Sequence, residues 1–288
     1  MLAYDIQGSG PGLVLLPGIG GTAADIWEAL LADLAAEHTV VLPDLPGSGR
    51  SPLPAGLLEA SAVADQVVAT AHRAGLNDFV IAGTSLGAAV AVKVAARHPD
   101  RVRGLFTLCG FARPRTTLWL GLEVWASLHV GDDDELGTFL TSLFFSEDYL
   151  DARTPEVARQ LTARLVASAA GTAQQIAFAL GIDVRGDLPA VTAPTLVVAA
   201  AGDRFVDPEH SVELANGIAG ARLAAVKGGH AAACEEPGRT LEILTGFLRD
   251  VVHRAHPGVS PTDAVRWPAG PGPRRLPTVP APRHSHER

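Results

Sequence analysis

The chain has 288 residues, 47% of them hydrophobic and 19% charged, and a formal net charge of −8. That composition describes a globular chain long enough to bury a sizeable core and excludes disordered and fibrous classes. The acidic balance speaks against a nucleic-acid partner, because a phosphate backbone is bound by a basic face.

In chain order, residues 1–7 leave room for a short antiparallel opening, and an apolar run predicts a first strand near 12–17. A helix near 24–36, a strand near 38–43 and a helix near 59–74 follow. A strand near 78–83, a helix over 86–97 and a strand near 102–109 complete the first part. The alternation resumes with strands near 194–201 and 221–226, and with helices near 209–218 and 237–253. Uninterrupted apolar runs such as 194–201 are what a strand buried on both faces requires. Alternating strands and helices predict an α/β fold: a mostly parallel sheet with helices on both faces.

Two segments break the alternation. Residues 111–185 contain four helical pieces and no convincing strand, and they carry 8 of the 15 aromatic residues. Residues 254–288 are rich in Pro, Gly, Arg and His without an apolar period, which predicts a disordered tail. The organisation expected is therefore a core formed by 1–110 and 186–253, a helical segment at 111–185, and the tail. No basic stretch leading into an apolar segment opens the chain, and no apolar span has bilayer length, so a cytoplasmic protein without membrane contact is expected. Cys109 and Cys234 match no metal or redox spacing and are expected to be two buried thiols.

The most informative stretch is residues 79–97. An apolar strand runs into Gly83-Thr84-Ser85-Leu86-Gly87 and then into an Ala/Val-rich helix. Gly-x-Ser-x-Gly in that context is a nucleophile elbow, in which a strained turn presents the serine at a sheet edge and a helix N-terminus. A serine hydroxyl needs a base, and the base needs an orienting group. Asp203 follows the strand 194–201 and His230 follows the strand 221–226, so both lie at the same sheet edge as Ser85. The order Ser, Asp, His is the one this arrangement requires. Asp207 is a second carboxylate nearby, but Asp203 follows its strand directly. Asp44 follows a strand end too, yet it precedes the serine. Glu235 and Glu236 read as helix-start carboxylates, and Asp132 to Glu135 as a solvated turn without metal-loop spacing.

These segments resemble the α/β-hydrolase fold superfamily, of the small soluble esterase, lactonase and cofactor-free haloperoxidase-like type. The resemblance covers about residues 1–253. It rests on the elbow, on Leu13 to Gly21 as strand and oxyanion loop, on Asp44-Leu-Pro-Gly-Ser-Gly-Arg-Ser51, on Asp203-Arg-Phe-Val and on Gly229-His230. It implies a helical cap at 111–185 and an oxyanion hole formed by the backbone N–H groups of Ile19 and Leu86. It also implies Ser85 as nucleophile, His230 as base then acid, and Asp203 as orienter of His230, with no metal and no cofactor. The chain departs from the family at Pro17, where a histidine is usual. Proline brings neither a donor nor a ring nitrogen to that loop.

The implied activity is a serine hydrolase acting on a carboxylic ester or lactone of a hydrophobic small molecule through an acyl-enzyme. Cap aromatics Phe111, Trp119, Trp125 and Phe145 are candidate substrate-binding residues. A C–C bond hydrolase, a perhydrolase, a non-hydrolytic cyclase or a small-molecule binding protein would share the same residues.

Overall fold

The strands, in chain order, are β1 (Tyr4–Gln7), β2 (Gly12–Leu16), β3 (Thr39–Pro43), β4 (Phe79–Thr84), β5 (Val102–Leu108), β6 (Thr195–Ala200) and β7 (Arg222–Val226). They form one seven-stranded sheet in the spatial order β1-β3-β2-β4-β5-β6-β7. The computed structural model describes residues 1–131, 133–166 and 170–255. β1 pairs antiparallel with β3, and all other pairings are parallel. The polar, exposed β1 is the vague opening of residues 1–7, placed at the sheet edge where alternation is not demanded.

Parallel pairing forces a crossover between neighbours, and helices supply it. They include α1 (Ala23–Glu37), α2 (Ala60–Arg73), α3 (Leu86–Arg97) and α9 (Glu209–Gly217), while α11 (Pro237–Ala255) follows β7 and packs back on the sheet. The two faces are read directly from β2. Val14 and Leu16 join a core with Val63 and Val67 of α2 and Ala91 of α3. Leu13 and Leu15 join a second core with Trp27 and Leu30 of α1 and Phe247 of α11. Side chains alternating across a strand require this split.

β3 and β4 flank β2 on opposite sides, so the chain reverses its winding direction there. Ligand sites in open α/β sheets form at such a reversal, outside the carboxyl ends of the strands. The loop after β2 and the turn after β4 both emerge at that point.

Between β5 and β6, the described residues form five α-helices: α4 (Thr116–Leu128), α5 (Asp133–Phe144), α6 (Glu147–Asp151), α7 (Pro155–Val166) and α8 (Thr172–Gly181). The sequence reading expects four pieces. The additional one is α6, a single short turn of helix whose N-cap Ser146 accepts the Tyr149 N–H. Another short helix, α10 (Ala232–Glu235), follows β7 directly. Asp132 and residues 256–288, hence nearly all of the expected tail, lie outside the described residues. No helix among the described residues is long and apolar enough to cross a membrane.

Candidate active site

Ser85 is the single residue between β4 and α3. Its backbone sits at φ 55°, ψ −123°, a conformation that costs an L-residue on the order of 1–3 kcal/mol. The surrounding packing enforces it. A Cβ on Gly83 would stand 2.2 Å from the Gly87 carbonyl oxygen, and one on Gly87 would stand 2.4 Å from that of Pro17. Strand, helix and the loop after β2 therefore close on one another only because both positions are glycine. The Ser85 N–H donates to the Leu108 carbonyl at 3.1 Å, fixing the turn to β5. Leu86 opens α3, so its N–H has no acceptor within the helix and faces outward at the positive end of the helix dipole.

Asp203 leaves the sheet just past β6. Its Oδ1 accepts the N–H groups of Phe205 at 2.9 Å and Val206 at 2.8 Å. Its Oδ2 lies 2.8 Å from Nδ1 of His230, which follows β7. On the other side of the ring, Nε2 lies 3.0 Å from Ser85 Oγ. An ionised carboxylate only accepts, so Nδ1 carries the ring proton and Nε2 is left to accept the serine hydroxyl. All three side chains are buried, Ser85 at 5% exposure.

Aromatic rings and a carboxylate hold the imidazole in place. Phe144 lies 4.9 Å and Phe205 5.3 Å from the His230 ring, and Trp125 packs edge-on against both phenylalanines. Beneath the histidine loop, Glu235 accepts the Gly229 N–H at 2.9 Å, the Ser146 N–H at 3.0 Å and the Ser146 hydroxyl at 2.6 Å. The Phe144 carbonyl accepts the Ala231 N–H at 2.8 Å. The junction of α5 and α6 is thus bonded to the loop that carries His230.

Cys109, just past β5, is buried at φ 51° beside the Asp203 carboxylate. Burial first, and the Asp203 charge second, push its thiol pKa well up, so it stands as a neutral S–H. Cys109, Asp203 and His230 bring ligand-type atoms within 4.8 Å of one another. The carboxylate and the imidazole of this group are already bonded to each other. Cys234 is exposed, which corrects the expectation of two buried thiols: it sits on α10, outside both cores.

The loop after β2 faces the serine. A Cβ on Gly18 would lie 3.2 Å from Ser85 Cβ, so this backbone passes directly over the side chain. The Leu16 carbonyl accepts the Trp27 indole N–H at 3.1 Å, and the Gly20 N–H donates to Gln175 Oε1 of α8 at 2.8 Å. Asp44 braces the neighbouring loop, its Oδ2 accepting the Arg50 N–H at 3.2 Å, with Gly49 packed on the carboxylate at φ 48°.

A sequence profile described as the alpha/beta hydrolase fold matches residues 11–237. The chain belongs to this family. Pyrrolizixenacetamide deacetylase of Xenorhabdus hominickii is 32% identical over 250 residues, covering 86% of this chain and 94% of that protein. A protein of Azorhizobium caulinodans provisionally named carbamate hydrolase RutD is also 32% identical, covering 87% of this chain and 96% of its own. Among solved structures, the enol-lactonase from Burkholderia xenovorans LB400 superposes with a TM-score of 0.77 at 25% identity, over 86% of this chain and 96% of that one.

The α/β-hydrolase frame thus brings Ser85, Asp203 and His230 together, with Ile19 and Leu86 on the two segments that meet at Ser85. The four cap aromatics separate. Trp125 belongs to the ring cluster on His230, whereas Phe145 stacks on Tyr149 at 5.2 Å and Phe111 packs edge-on against His210 at 6.3 Å. Trp119 lies on α4 at 41% exposure. The sequence reading does not single out Phe144, Phe205, Gln175 or Glu235 as part of the site. Phe205 lies inside the Asp203-Arg-Phe-Val segment, a signal that was available; Gln175 has none.

Proposed function

We propose that the chain is a serine hydrolase of small hydrophobic carboxylic esters or lactones, working through an acyl-enzyme. The observation that carries this reading is the continuous hydrogen-bonded line from Ser85 Oγ through His230 to Asp203, with the serine at a strained elbow. Nε2 of His230 takes the hydroxyl proton as Ser85 Oγ bonds to the carbonyl carbon. The carbonyl electrons move to an oxyanion, which the N–H groups of Ile19 and Leu86 receive. Asp203 stabilises the imidazolium and keeps the proton on Nδ1. Collapse expels the alcohol, which leaves with the proton from Nε2. Water then repeats the sequence and releases the acid. Each oxyanion donor is worth roughly 2.7–4 kcal/mol at the transition state.

The ring cluster of Trp125, Phe144 and Phe205 supports an apolar acyl or alcohol group, and the net charge of −8 argues against an anionic substrate. Ser85 is buried, so substrate entry requires the helices between β5 and β6 to move as a cap. The deacetylase relative, by its name, acts on an acetamide, which favours a second reading in which the scissile bond is acyl–nitrogen. The same line of residues serves it, with His230 protonating the departing amine.

The test is labelling with a fluorophosphonate, read by intact mass, on wild type and Ser85→Ala. One adduct on wild type alone is expected. A folded wild type that takes no adduct refutes the proposal. Matched p-nitrophenyl acetate and p-nitroacetanilide then separate the ester from the amide reading.

A further inference from the structure

We propose that Gln175 is a positioning residue for the oxyanion loop, setting the Ile19 N–H from within the cap. The inference rests on the hydrolase reading above and adds to it a residue outside the strand-end loops. Gln175 is fully buried on α8. Its Oε1 accepts the Gly20 N–H at 2.8 Å. Its Nε2 donates to the Pro46 carbonyl and to the Ser48 hydroxyl, both at 2.9 Å. One amide thus joins the loop after β2, the loop after β3 and the cap, and its hydrogen-bonding capacity towards them is filled in a defined orientation.

The helix that carries it is itself fixed. The Gly171 N–H donates to the Gly47 carbonyl at 2.9 Å, and the Gln175 N–H donates to that of Gly171 at 3.0 Å. A Cβ on Gly171 would stand 2.4 Å from Gly47 Cα, so backbone lies on backbone one turn before the amide. Across the loop, Pro17 has no N–H and Gly20 sits at φ 78°, a freely rotating position unless held. The Gly20 N–H is adjacent in sequence to Ile19, so the bond from Gln175 fixes the peptide plane next to the proposed donor. Misplacement of a reacting group by about 1 Å costs on the order of 10²-fold in rate. Because the tether comes from the cap, the oxyanion loop is set only when the cap is docked.

The experiment compares wild type with Gln175→Met, Gln175→Asn and Gln175→Glu. Turnover of p-nitrophenyl acetate is expressed per site titrated with fluorophosphonate, so misfolded molecules do not count. Met keeps the volume and loses all three bonds, and Asn is too short to span Gly20 and Pro46. Glu keeps an acceptor for the Gly20 N–H but loses the donor to the Pro46 carbonyl. The expected result is a roughly 10–100-fold fall in kcat for Met and Asn, with KM within about threefold, an unchanged pH profile and no rescue by Glu, whose second oxygen faces the Pro46 carbonyl without a donor. Hydrogen exchange of the 17–22 backbone should quicken in Met and Asn, a readout independent of turnover. If Met does not fold, Asn gives the same reading. The inference is overturned if kcat per site stays within about twofold, if the loss is in KM alone, or if exchange at 17–22 is unchanged. Absence of labelling in wild type refutes the hydrolase reading instead, and is seen before any variant is compared.

Discussion

His230 reaches Ser85 across 145 residues of chain, with Nε2 3.0 Å from Oγ. The distance is set by two parallel strands, β4 and β7, each ending at the same edge of the sheet. The direction in which the contact works is set by Asp203. Its Oδ1 is taken by the Phe205 and Val206 N–H groups, so Oδ2 alone faces the ring.

That geometry makes Asp203→Asn a test of tautomer and not of shape. The amide oxygen would stay with the two N–H groups, which turns the NH2 toward Nδ1. Two donors cannot face each other, so the ring proton moves to Nε2 and the serine loses its acceptor. A fall in kcat of about 10³–10⁴-fold is expected with little change in KM. Steady-state kinetics at neutral pH check it. A fall of less than tenfold would mean that Asp203 does not set the ring.

Gly87→Ala tests the contact between the elbow and the oxyanion loop. The new methyl would lie 2.4 Å from the Pro17 oxygen and 2.9 Å from the Leu16 oxygen, both backbone atoms with no room to rotate away. The loop must shift by a large part of an ångström. A loss of about 10²-fold in kcat, together with a lower Tm, is the expected outcome. Thermal denaturation alongside kinetics checks both halves. Full activity would show that the loop after β2 does not contribute to the reaction.

Trp125 poses a packing question. Its indole N–H is buried with no hydrogen-bond partner among the described residues, a condition that costs about 1–3 kcal/mol. Trp125→Phe removes that donor and also removes ring volume from the cluster with Phe144 and Phe205. The two effects oppose, so a net change within about 1 kcal/mol is expected. Phe205→Ala, which only deletes volume, should cost about 3–5 kcal/mol. Urea denaturation of both variants decides it, and a large loss in Trp125→Phe would mean that the N–H is satisfied.

The strands of the core were legible because a strand buried on both faces must be a nearly continuous apolar run, as residues 196–200 are. Ser85, Asp203 and His230 were legible for a related reason: each sits just past the end of its own strand, β4, β6 or β7. Gln175 was not. It is one of two adjacent glutamines in a largely apolar helix, and only the tertiary contacts to Gly20 and Pro46 give it meaning. Phe144 and Phe145 are neighbours in sequence, yet one ring reaches His230 and the other stacks on Tyr149. The break between α5 and α6 decides which, and a short helix capped by Ser146 carries little periodic signal. Glu235 reads as a helix-start carboxylate in sequence, whereas its oxygens bind the histidine loop to the cap.

His210 gives the fold a dependence on pH that is separate from the chemistry of Ser85. Its Nδ1 donates to the Asp207 carbonyl at 3.0 Å and its Nε2 accepts the Arg115 N–H at 3.2 Å, which fixes the neutral ring. Burial first, with the Arg115 charge opposed by Asp207 and Glu213, lowers its pKa below 6.5. Protonation would put a second proton against the Arg115 N–H and charge a ring packed on Phe111. Between the folded and unfolded pKa values the unfolded chain binds more protons, so stability rises with pH there. The contribution is complete above about pH 6.5 and is lost as pH falls through that window towards the folded pKa. His210→Gln keeps a donor and an acceptor but does not titrate. Its urea midpoint should therefore change less than that of wild type between pH 7.5 and pH 5. Equal slopes for the two proteins would show that His210 is not the group that titrates.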